Sequence, residues 1–241
     1  RAFAEVAARV SRKKPVIVLK AGRTALGARA ARSHTAAVAG NDRIYDDVLR
    51  QCGVVRARGL NDMLEFARCL PIMPAPKGEN VLIITGAGGS GVLLSDACVD
   101  NGLKLMPMPP DLDAAFRKFI PPFGAAGNPV DITGGEPPTT YQNTIRLGLR
   151  EDRIHALILG YWHTIITPPM VFAKLASEAV EEARREGINK PIVASLVGDV
   201  EVEEACGYLF DHGIPAYPYT TEKPVMVLGA KYQWARGAGL L

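Results

Sequence analysis

The segment Ser33-His34-Thr35 has the residue types best suited to nucleophilic chemistry in this sequence. It lies in an alanine- and glycine-rich stretch that follows the apolar run at 15–19 and ends at Gly40. We expect a loop here, at the end of a parallel strand, whose small residues leave space around the imidazole. A neutral imidazole is nucleophilic near physiological pH, which makes His34 the candidate catalytic residue. Ser33 or Thr35 would hold one ring nitrogen and leave the other free.

A second candidate site is the run T-G-A-G-G-S-G at 85–91, directly after an apolar strand-like segment. Amides at the start of a helix bind anions with the help of the helix dipole, and glycine lets an anion approach the backbone closely. We therefore expect Gly88, Gly89, Ser90 and Gly91 to bind phosphate. The alternative is a tight strand-to-helix turn without a ligand.

The same run matches the G-x-G-x-x-G pattern of dinucleotide-binding folds through Gly86, Gly88 and Gly91. That interpretation requires a carboxylate at the end of the next strand, to hold the ribose hydroxyls. The next strand here ends in M-P-M-P-P, and the first acidic residue after it is Asp111. A nicotinamide-dependent oxidoreductase is thus disfavoured but stays open as an alternative, as does a non-catalytic flavodoxin-like binding or assembly module.

A third segment, G-N-P-V-D-I-T-G-G at 127–135, contains Asn128 and Asp131, which order a loop or touch a ligand. The remaining histidines, at 155, 163 and 212, share no ligand spacing, and the four cysteines include no C-x-x-C pair. We therefore predict no metal site, and reduced, buried cysteines in a cytoplasmic protein.

The elements that position these segments alternate between strand and helix, which is typical of α/β folds with parallel sheets. A proline-rich linker at 71–78 divides the sequence into predicted domains at 1–75 and 76–241. The first contains only the last two strands of a sheet, so we expect it to be incomplete in this chain. The second is expected to be a flavodoxin-like, doubly wound sheet. Its strands are predicted at 81–85, 103–108, 156–161, 192–196 and 216–219.

The charge distribution is asymmetric. Residues 1–75 carry a net charge of +8 and the remainder −5. Because the basic clusters lack interleaved aromatic residues, we expect small phosphorylated ligands or an acidic partner surface rather than nucleic acid. No apolar run is long enough to cross a bilayer, so we expect no membrane association.

Taken together and in order, these segments resemble the ADP-forming acyl-CoA synthetases, relatives of succinyl-CoA synthetase. The family's L-K-[SA]-G-R-T and S-H-T-G-[SA]-L-A-G motifs are similar to L-K-A-G-R-T at 19–24 and S-H-T-A-A-V-A-G at 33–40. Its T-N-A-G-G-P-G-V turn is similar to residues 85–92, and its N-P-V-D-[LI] segment to residues 128–132. The sequence departs from these motifs at Ala36, Gly86 and Ser90.

The resemblance implies two succinyl-CoA synthetase-like, flavodoxin-like domains and the reaction acyl-CoA + ADP + phosphate ⇌ carboxylic acid + CoA + ATP, through a phosphorylated His34. Residues expected to support the active-site loops are Arg23, Ser33, Thr35, Asn128 and Asp131. CoA, ATP or ADP, and Mg²⁺ would be bound mainly by modules outside this chain. Those modules are a CoA-binding domain and an ATP-grasp nucleotide-binding domain or subunit, in a cytoplasmic oligomer. The acid itself is not identified.

Overall fold

The computed structural model describes residues 2–35 and 40–241, and it describes only the backbone of His34 and Thr35. The chain divides into two compact units, one formed by Arg1–Pro71 with Ala230–Leu241 and the other by Ile72–Gly229. These units are groups of residues in mutual contact, so the predicted domain boundary between residues 75 and 76 stays a prediction. The first unit ends at Pro71, a few residues before that boundary, and it also includes the last twelve residues of the chain.

The first unit is built around a two-stranded parallel sheet in which Ile17 pairs with Val55. Its buried cluster contains Ala7, Leu49 and Val54. Its elements are α1 (Ala2–Ser11), β1 (Ile17–Leu19), α2 (Ala25–Thr35), α3 (Asp42–Gln51), β2 (Val55–Ala57) and α4 (Leu60–Cys69).

Residues from the end of the chain complete the first unit. The indole Nε1 of Trp234 donates a hydrogen bond to the carbonyl of Ser11 at 2.8 Å, and Nζ of Lys231 donates to the carbonyl of Leu70 at 3.0 Å. The backbones of Gly53 and Gly237 pass so closely that a Cβ on Gly53 would lie 2.9 Å from the Gly237 carbonyl carbon. The tail is therefore part of this unit's packing.

The second unit is a parallel sheet in the order β4-β3-β6-β7-β8, with the short β5 pairing to the end of β3. Without β5, this is the 2-1-3-4-5 order of flavodoxin-like folds, so the predicted fold class is confirmed. The elements are β3 (Asn80–Thr85), α5 (Gly88–Asp100), β4 (Lys104–Leu105), α6 (Pro110–Phe116), β5 (Val130–Asp131), α7 (Pro138–Arg150), β6 (Ala156–Trp162), α8 (Pro169–Arg185), β7 (Ile192–Val197), α9 (Glu201–Asp211) and β8 (Ala216–Pro218). A last helix, α10 (Glu222–Gly237), begins in this unit and ends in the first.

The central strands are buried on both faces, which explains their uninterrupted apolar sequences. In β3, the residues from Val81 to Ile84 are fully buried, and in β6 so are those from Ala156 to Leu159. Helix α8 begins with Pro169 in its first turn, where the missing amide hydrogen costs nothing, and Gly187 with φ +82° follows its end.

Two local predictions are wrong. The stretch before residue 36, predicted as a loop, is helical through Thr35, because its alanines favour a helix more than Gly27 disfavours it. The strand predicted at 103–108 is present only at Lys104–Leu105, because Pro107 and Pro109 have no amide hydrogen to donate to a neighbouring strand. Across residues 2–35 and 40–241, no helix combines the length and apolar character needed to span a bilayer.

Candidate functional site

The glycine-rich run predicted to bind phosphate forms the start of α5. The N-cap residue is Ala87, whose side chain makes no capping hydrogen bond. The first amides of a helix have no acceptor within the helix, so Gly88, Gly89 and Ser90 present free N–H groups. The amide of Gly91 already donates to the Ala87 carbonyl at 3.0 Å. Three of the four predicted donors are thus available to a ligand.

Ser90 adds an unmatched polar group to this helix start. The residue is 5% exposed, and its hydroxyl has no hydrogen-bond partner among the described residues. A buried hydroxyl without a partner costs free energy, and a bound oxyanion would remove that cost. Ser90 also lines a cleft, described below, so its surroundings can admit a ligand.

Asp131 lies beside the same helix start. It ends β5, where it pairs with Thr85 of β3. Its Oδ1 accepts the amide of Thr133 at 2.9 Å, which holds the carboxylate in one orientation. Its Oδ2 faces Gly88 so closely that a Cβ on Gly88 would be 2.8 Å from it. The structure therefore brings two of the predicted site segments together.

The side chain of Asn128 makes three hydrogen bonds to backbone groups. Its Oδ1 accepts the amide of Ile83 at 3.0 Å, and its Nδ2 donates to the carbonyls of Val81 at 2.8 Å and Met106 at 3.0 Å. The amide side chain thus joins β3 to the segment after β4. It supports the loop that leads to Asp131 rather than facing the helix start.

A cleft of about 700 Å³ opens next to α5 at the carboxyl ends of the strands. This edge of a doubly wound sheet is the usual place for ligands. Its apolar wall comes from Leu93, Trp162, Val197 and Tyr219. The other lining residues are Gly86, Ala87, Gly89, Ser90, Gly134, Thr164, Thr220, Thr221 and Glu222.

Tyr219 is held firmly in the wall of the cleft. Its φ is +63°, an unusual backbone conformation for a residue with a side chain. Its hydroxyl donates to the Asp199 carbonyl at 3.2 Å and lies 3.1 Å from Oε1 of Glu203. Trp162 and Tyr219 were not among the predicted site residues. Trp162 directly follows the strand predicted at 156–161, and Tyr219 ends the strand predicted at 216–219, which is the signal that could have found them.

The segment around His34 lies in the first unit. Helix α2 places His34 in its last turn, and residues 36–39 of the predicted motif lie outside the described residues. The hydroxyl of Ser33 donates to the Ala30 carbonyl at 2.8 Å, so here it serves its own helix rather than an imidazole. Arg23, the predicted supporting cation, is exposed.

Ion pairs connect the chain before the His34 segment, at Lys20, with the chain after it, at Asp42. Asp42, the first residue of α3, lies 2.6 Å from Nη2 of Arg56 and 3.3 Å from Nζ of Lys20. The hydrogen bond from Arg56, followed by that from Lys20, holds the pKa of Asp42 below its usual value despite partial desolvation. Lys20 begins the K-A-G-R-T motif, so this network ties that motif to α3 and β2.

His163 and His155 contact polar groups that are distant from them along the chain. The Nδ1 of His163 lies 3.3 Å from Oδ1 of Asp199, and its Nε2 lies 3.7 Å from Oε2 of Glu201. Burial lowers the pKa of His155, whose Nδ1 accepts the amide of Asn80 at 3.1 Å. That contact joins β3 to the start of β6 and is structural.

The carboxylate needed by a dinucleotide site is not available where the fold would require it. Asp111, the first acidic residue after β4, is in the first turn of α6. Its carboxylate pairs with Arg153, at 2.6 Å from Nη2. The G-x-G-x-x-G match therefore lacks its ribose-binding partner.

Two family models together match nearly the whole chain. The Ligase-CoA domain model matches residues 81–241, and the model of the succinyl-CoA ligase like flavodoxin domain matches residues 1–70. The chain belongs to the Ligase-CoA family. The resemblance to ADP-forming acyl-CoA synthetases that the motifs indicated is confirmed.

Individual members of the family match nearly all of the chain. The alpha subunit of ADP-forming acetate–CoA ligase I from Pyrococcus furiosus is 41% identical over 98% of this chain and 50% of its own length. The ADP-forming 4-hydroxybutyrate–CoA ligase of Nitrosopumilus maritimus is 32% identical over 92% of this chain and 31% of its own length.

A solved structure shares the same fold. The acetyl-coenzyme A synthetase 1 of Candidatus Korarchaeum cryptofilum, in complex with phosphate and ADP, has a TM-score of 0.91 and 38% identity. The match covers 99% of this chain and 50% of that one. The chain thus spans half or less of the length of these three relatives.

Proposed function

We propose that this chain is part of an ADP-forming acyl-CoA synthetase that interconverts acyl-CoA, ADP and phosphate with a carboxylic acid, CoA and ATP, through a phosphohistidine at His34. The observation that carries the proposal is the uncapped start of α5, which opens on an apolar cleft. An acyl phosphate has one strongly anionic group and one organic group, so it needs this combination.

The helix start suits the phosphoryl group. The amides of Gly88, Gly89 and Ser90 and the unpartnered Ser90 hydroxyl supply hydrogen-bond donors, and the helix adds a partial positive charge. Gly91 supports the same turn through its bond to Ala87. These donors would stabilise charge on the phosphoryl oxygens during transfer, which is the main task of a protein in phosphoryl chemistry.

The cleft suits the acyl group. Its apolar wall, formed by Leu93, Trp162, Val197 and Tyr219, would contact the organic part of an acyl phosphate. The named relatives act on acetate and on 4-hydroxybutyrate, so we infer a carboxylic acid as the substrate class.

The proposed reaction has three transfers. A phosphate oxygen attacks the thioester carbon, the C–S bond breaks, and CoA leaves as a thiolate that takes up a proton. A ring nitrogen of His34 then attacks the phosphorus of the acyl phosphate, and the P–O bond to the acyl group breaks to release the carboxylate. Finally the phosphoryl group passes from His34 to ADP. An imidazole suits this role because its phosphoramidate retains a high transfer potential.

Local contacts support the loops around these groups. Asn128 secures the segment that carries Asp131, and Lys20 with Asp42 secures the K-A-G-R-T segment that carries Arg23. Thr35, whose side chain the structure does not describe, remains a proposed support for the ring of His34.

The remaining substrates require other modules. CoA, nucleotide and Mg²⁺ would be bound mainly by a CoA-binding domain and by an ATP-grasp domain or subunit, in an oligomer. Mg²⁺ would neutralise nucleotide phosphate charge there. We infer a cytoplasmic enzyme, since CoA and ATP are available in that compartment and Cys52, Cys69, Cys98 and Cys206 are buried free thiols.

The test is to find the phosphoryl group on the protein. The full-length enzyme, with its nucleotide-binding partner if that is a separate subunit, is incubated with Mg-ATP labelled in the γ-phosphate. We expect acid-labile, base-stable label that peptide mass spectrometry assigns to His34 and that the His34→Asn variant lacks.

The control is His212→Asn, which removes a partly exposed histidine from the other unit and should leave the label unchanged. If the partner is active and His34 stays unmodified, or if His34→Asn keeps both label and turnover, the phosphohistidine mechanism is wrong.

A further inference from the structure

The carboxylate of Asp131 is an unexpected neighbour for an anion site. Its Oδ1 is fixed by the Thr133 amide at 2.9 Å, while Oδ2 stands over Gly88, the first residue of α5. Oδ2 accepts no hydrogen bond from the residues that the structure describes, and Asp131 is only partly buried. A ligand at the helix start would therefore meet one bare, oriented carboxylate oxygen.

A carboxylate repels an anion unless a proton lies between the two oxygens. With a proton between them, the contact becomes a charge-assisted hydrogen bond, which is about twice as strong as a neutral one. Inorganic phosphate retains at least one proton near neutral pH, whereas sulfate of the same shape retains none. Phosphate and sulfate differ little in size, so this proton is the feature by which Oδ2 can distinguish them.

We propose that Asp131 is a specificity-determining residue that accepts a hydrogen bond from the protonated oxygen of hydrogen phosphate and thereby excludes sulfate. The inference rests on the proposed function, because it assigns the phosphate of that reaction to the start of α5. The free amides of Gly88, Gly89 and Ser90 bind the unprotonated oxygens. Arsenate, which also retains a proton, is accepted.

Ser90 provides the second, independent sign of a ligand here. Ser90 lines the cleft, and its hydroxyl is buried and lacks a partner among the described residues. A helix start with only free amides would bind either anion. The combination of donors from α5 with one acceptor from β5 matches an anion that has both bare and protonated oxygens.

The Asp131→Asn variant separates the possibilities. Asparagine keeps a carbonyl oxygen for the Thr133 amide, so the turn is retained, while its NH₂ group donates instead of accepting. In the full-length enzyme with its partner, we would measure the phosphate KM and the inhibition constant of sulfate at constant ionic strength. Calorimetric titration with each anion alone gives the same comparison without turnover.

We expect Asp131→Asn to weaken phosphate binding about tenfold or more and to strengthen sulfate binding by a similar factor. The control Asp96→Asn removes the same charge from an exposed position on α5 and should change neither ratio. If both anions bind more tightly, Asp131 acts only by charge, and if both bind more weakly by the same factor, it acts only on structure. Either result overturns the inference.

These outcomes are distinct from a failure of the proposed function. Absence of phosphate-dependent turnover of any acyl-CoA, with an Asp131→Asn variant that loses phosphate binding and gains sulfate binding, would contradict the synthetase and support the role of Asp131. An active synthetase whose Asp131→Asn variant does not gain sulfate binding would contradict the role of Asp131 alone.

Discussion

The phenol of Tyr141 occupies the space that a side chain on Gly86 would need. A Cβ on Gly86 would overlap the Tyr141 hydroxyl and lie 2.9 Å from Cζ. The ring is 4% exposed and packs edge-on against Phe172, with centroids 4.9 Å apart. Burial raises the pKa of Tyr141 well above its usual value, so the hydroxyl stays protonated. Glycine at 86 is therefore explained by close packing.

Gly86→Ala should lower the free energy of unfolding by about 1–3 kcal/mol, because the buried ring has no free space into which to move. Adding Tyr141→Phe removes the hydroxyl and should recover part of the loss, although Cζ stays close. Chemical denaturation of both single variants and the double variant gives the coupling energy. Gly135→Ala, where a Cβ meets nothing within 4 Å, is the control. Purely additive effects would contradict the contact.

Gly88 and Gly89 should respond in opposite ways to alanine. A Cβ on Gly89 meets nothing within 4 Å, so Gly89→Ala should stabilise α5 by up to about 1 kcal/mol through helix propensity. The same change at Gly88 brings a methyl group to 2.8 Å from Oδ2 of Asp131, which offsets that gain and displaces the carboxylate. Thermal unfolding of the two variants checks this. Equal stabilisation would mean that Asp131 moves aside freely.

Trp162 should limit the size of the acid. It is half exposed at the end of β6 and lines the cleft, so Trp162→Ala enlarges the space for the organic group. We expect the kcat/KM ratio of a bulky to a small acid to rise about tenfold or more, the scale at which pockets separate substrates that differ by methylene groups. The control is Ile165→Ala, which changes an apolar residue that is 99% exposed. An unchanged ratio would place the acyl group elsewhere.

The buried Lys231 should make stability rise with pH. Desolvation lowers its pKa from 10.5 to about 8, and its ammonium group donates to the Leu70 carbonyl and lies over the Trp234 ring. Below the folded pKa of about 8 both states are protonated, so the cost of burying the charge is fully present. Between about 8 and 10.5 the unfolded state binds more protons, so that cost is progressively removed.

Comparison with Lys231→Met isolates this contribution. The difference in unfolding free energy between wild type and variant should move in favour of wild type as the pH rises above about 8. Denaturation at several pH values measures the difference, and other ionisable groups cancel in it. Lys174→Met, at an exposed position, should show no such trend. A pH-independent difference for Lys231→Met would mean that the amine is not desolvated.

The accuracy of the predicted secondary structure differs from element to element. The apolar runs at β3, β6 and β7 predicted buried parallel strands, because a strand covered on both faces has no polar alternation. Pro169 in the first turn of α8 and Gly187 just after it are local signals of where this helix begins and ends. The segment before His34 was predicted as a loop because its small residues were given more weight than their helix propensity, and it forms α2. The two-residue β5 is too short to leave a periodic signal.

Sequence patterns alone predicted the alternation of strands and helices, the flavodoxin-like fold and the glycine-rich helix start, because periodicity and turn residues act over a few neighbouring positions. The folded structure was needed to show that Asp131 stands against Gly88, and that Trp162 and Tyr219 form one wall of a cleft. It also shows that residues 230–241 pack with the first unit. These relationships depend on strand order, register and burial, which arise from contacts between residues that are distant along the chain.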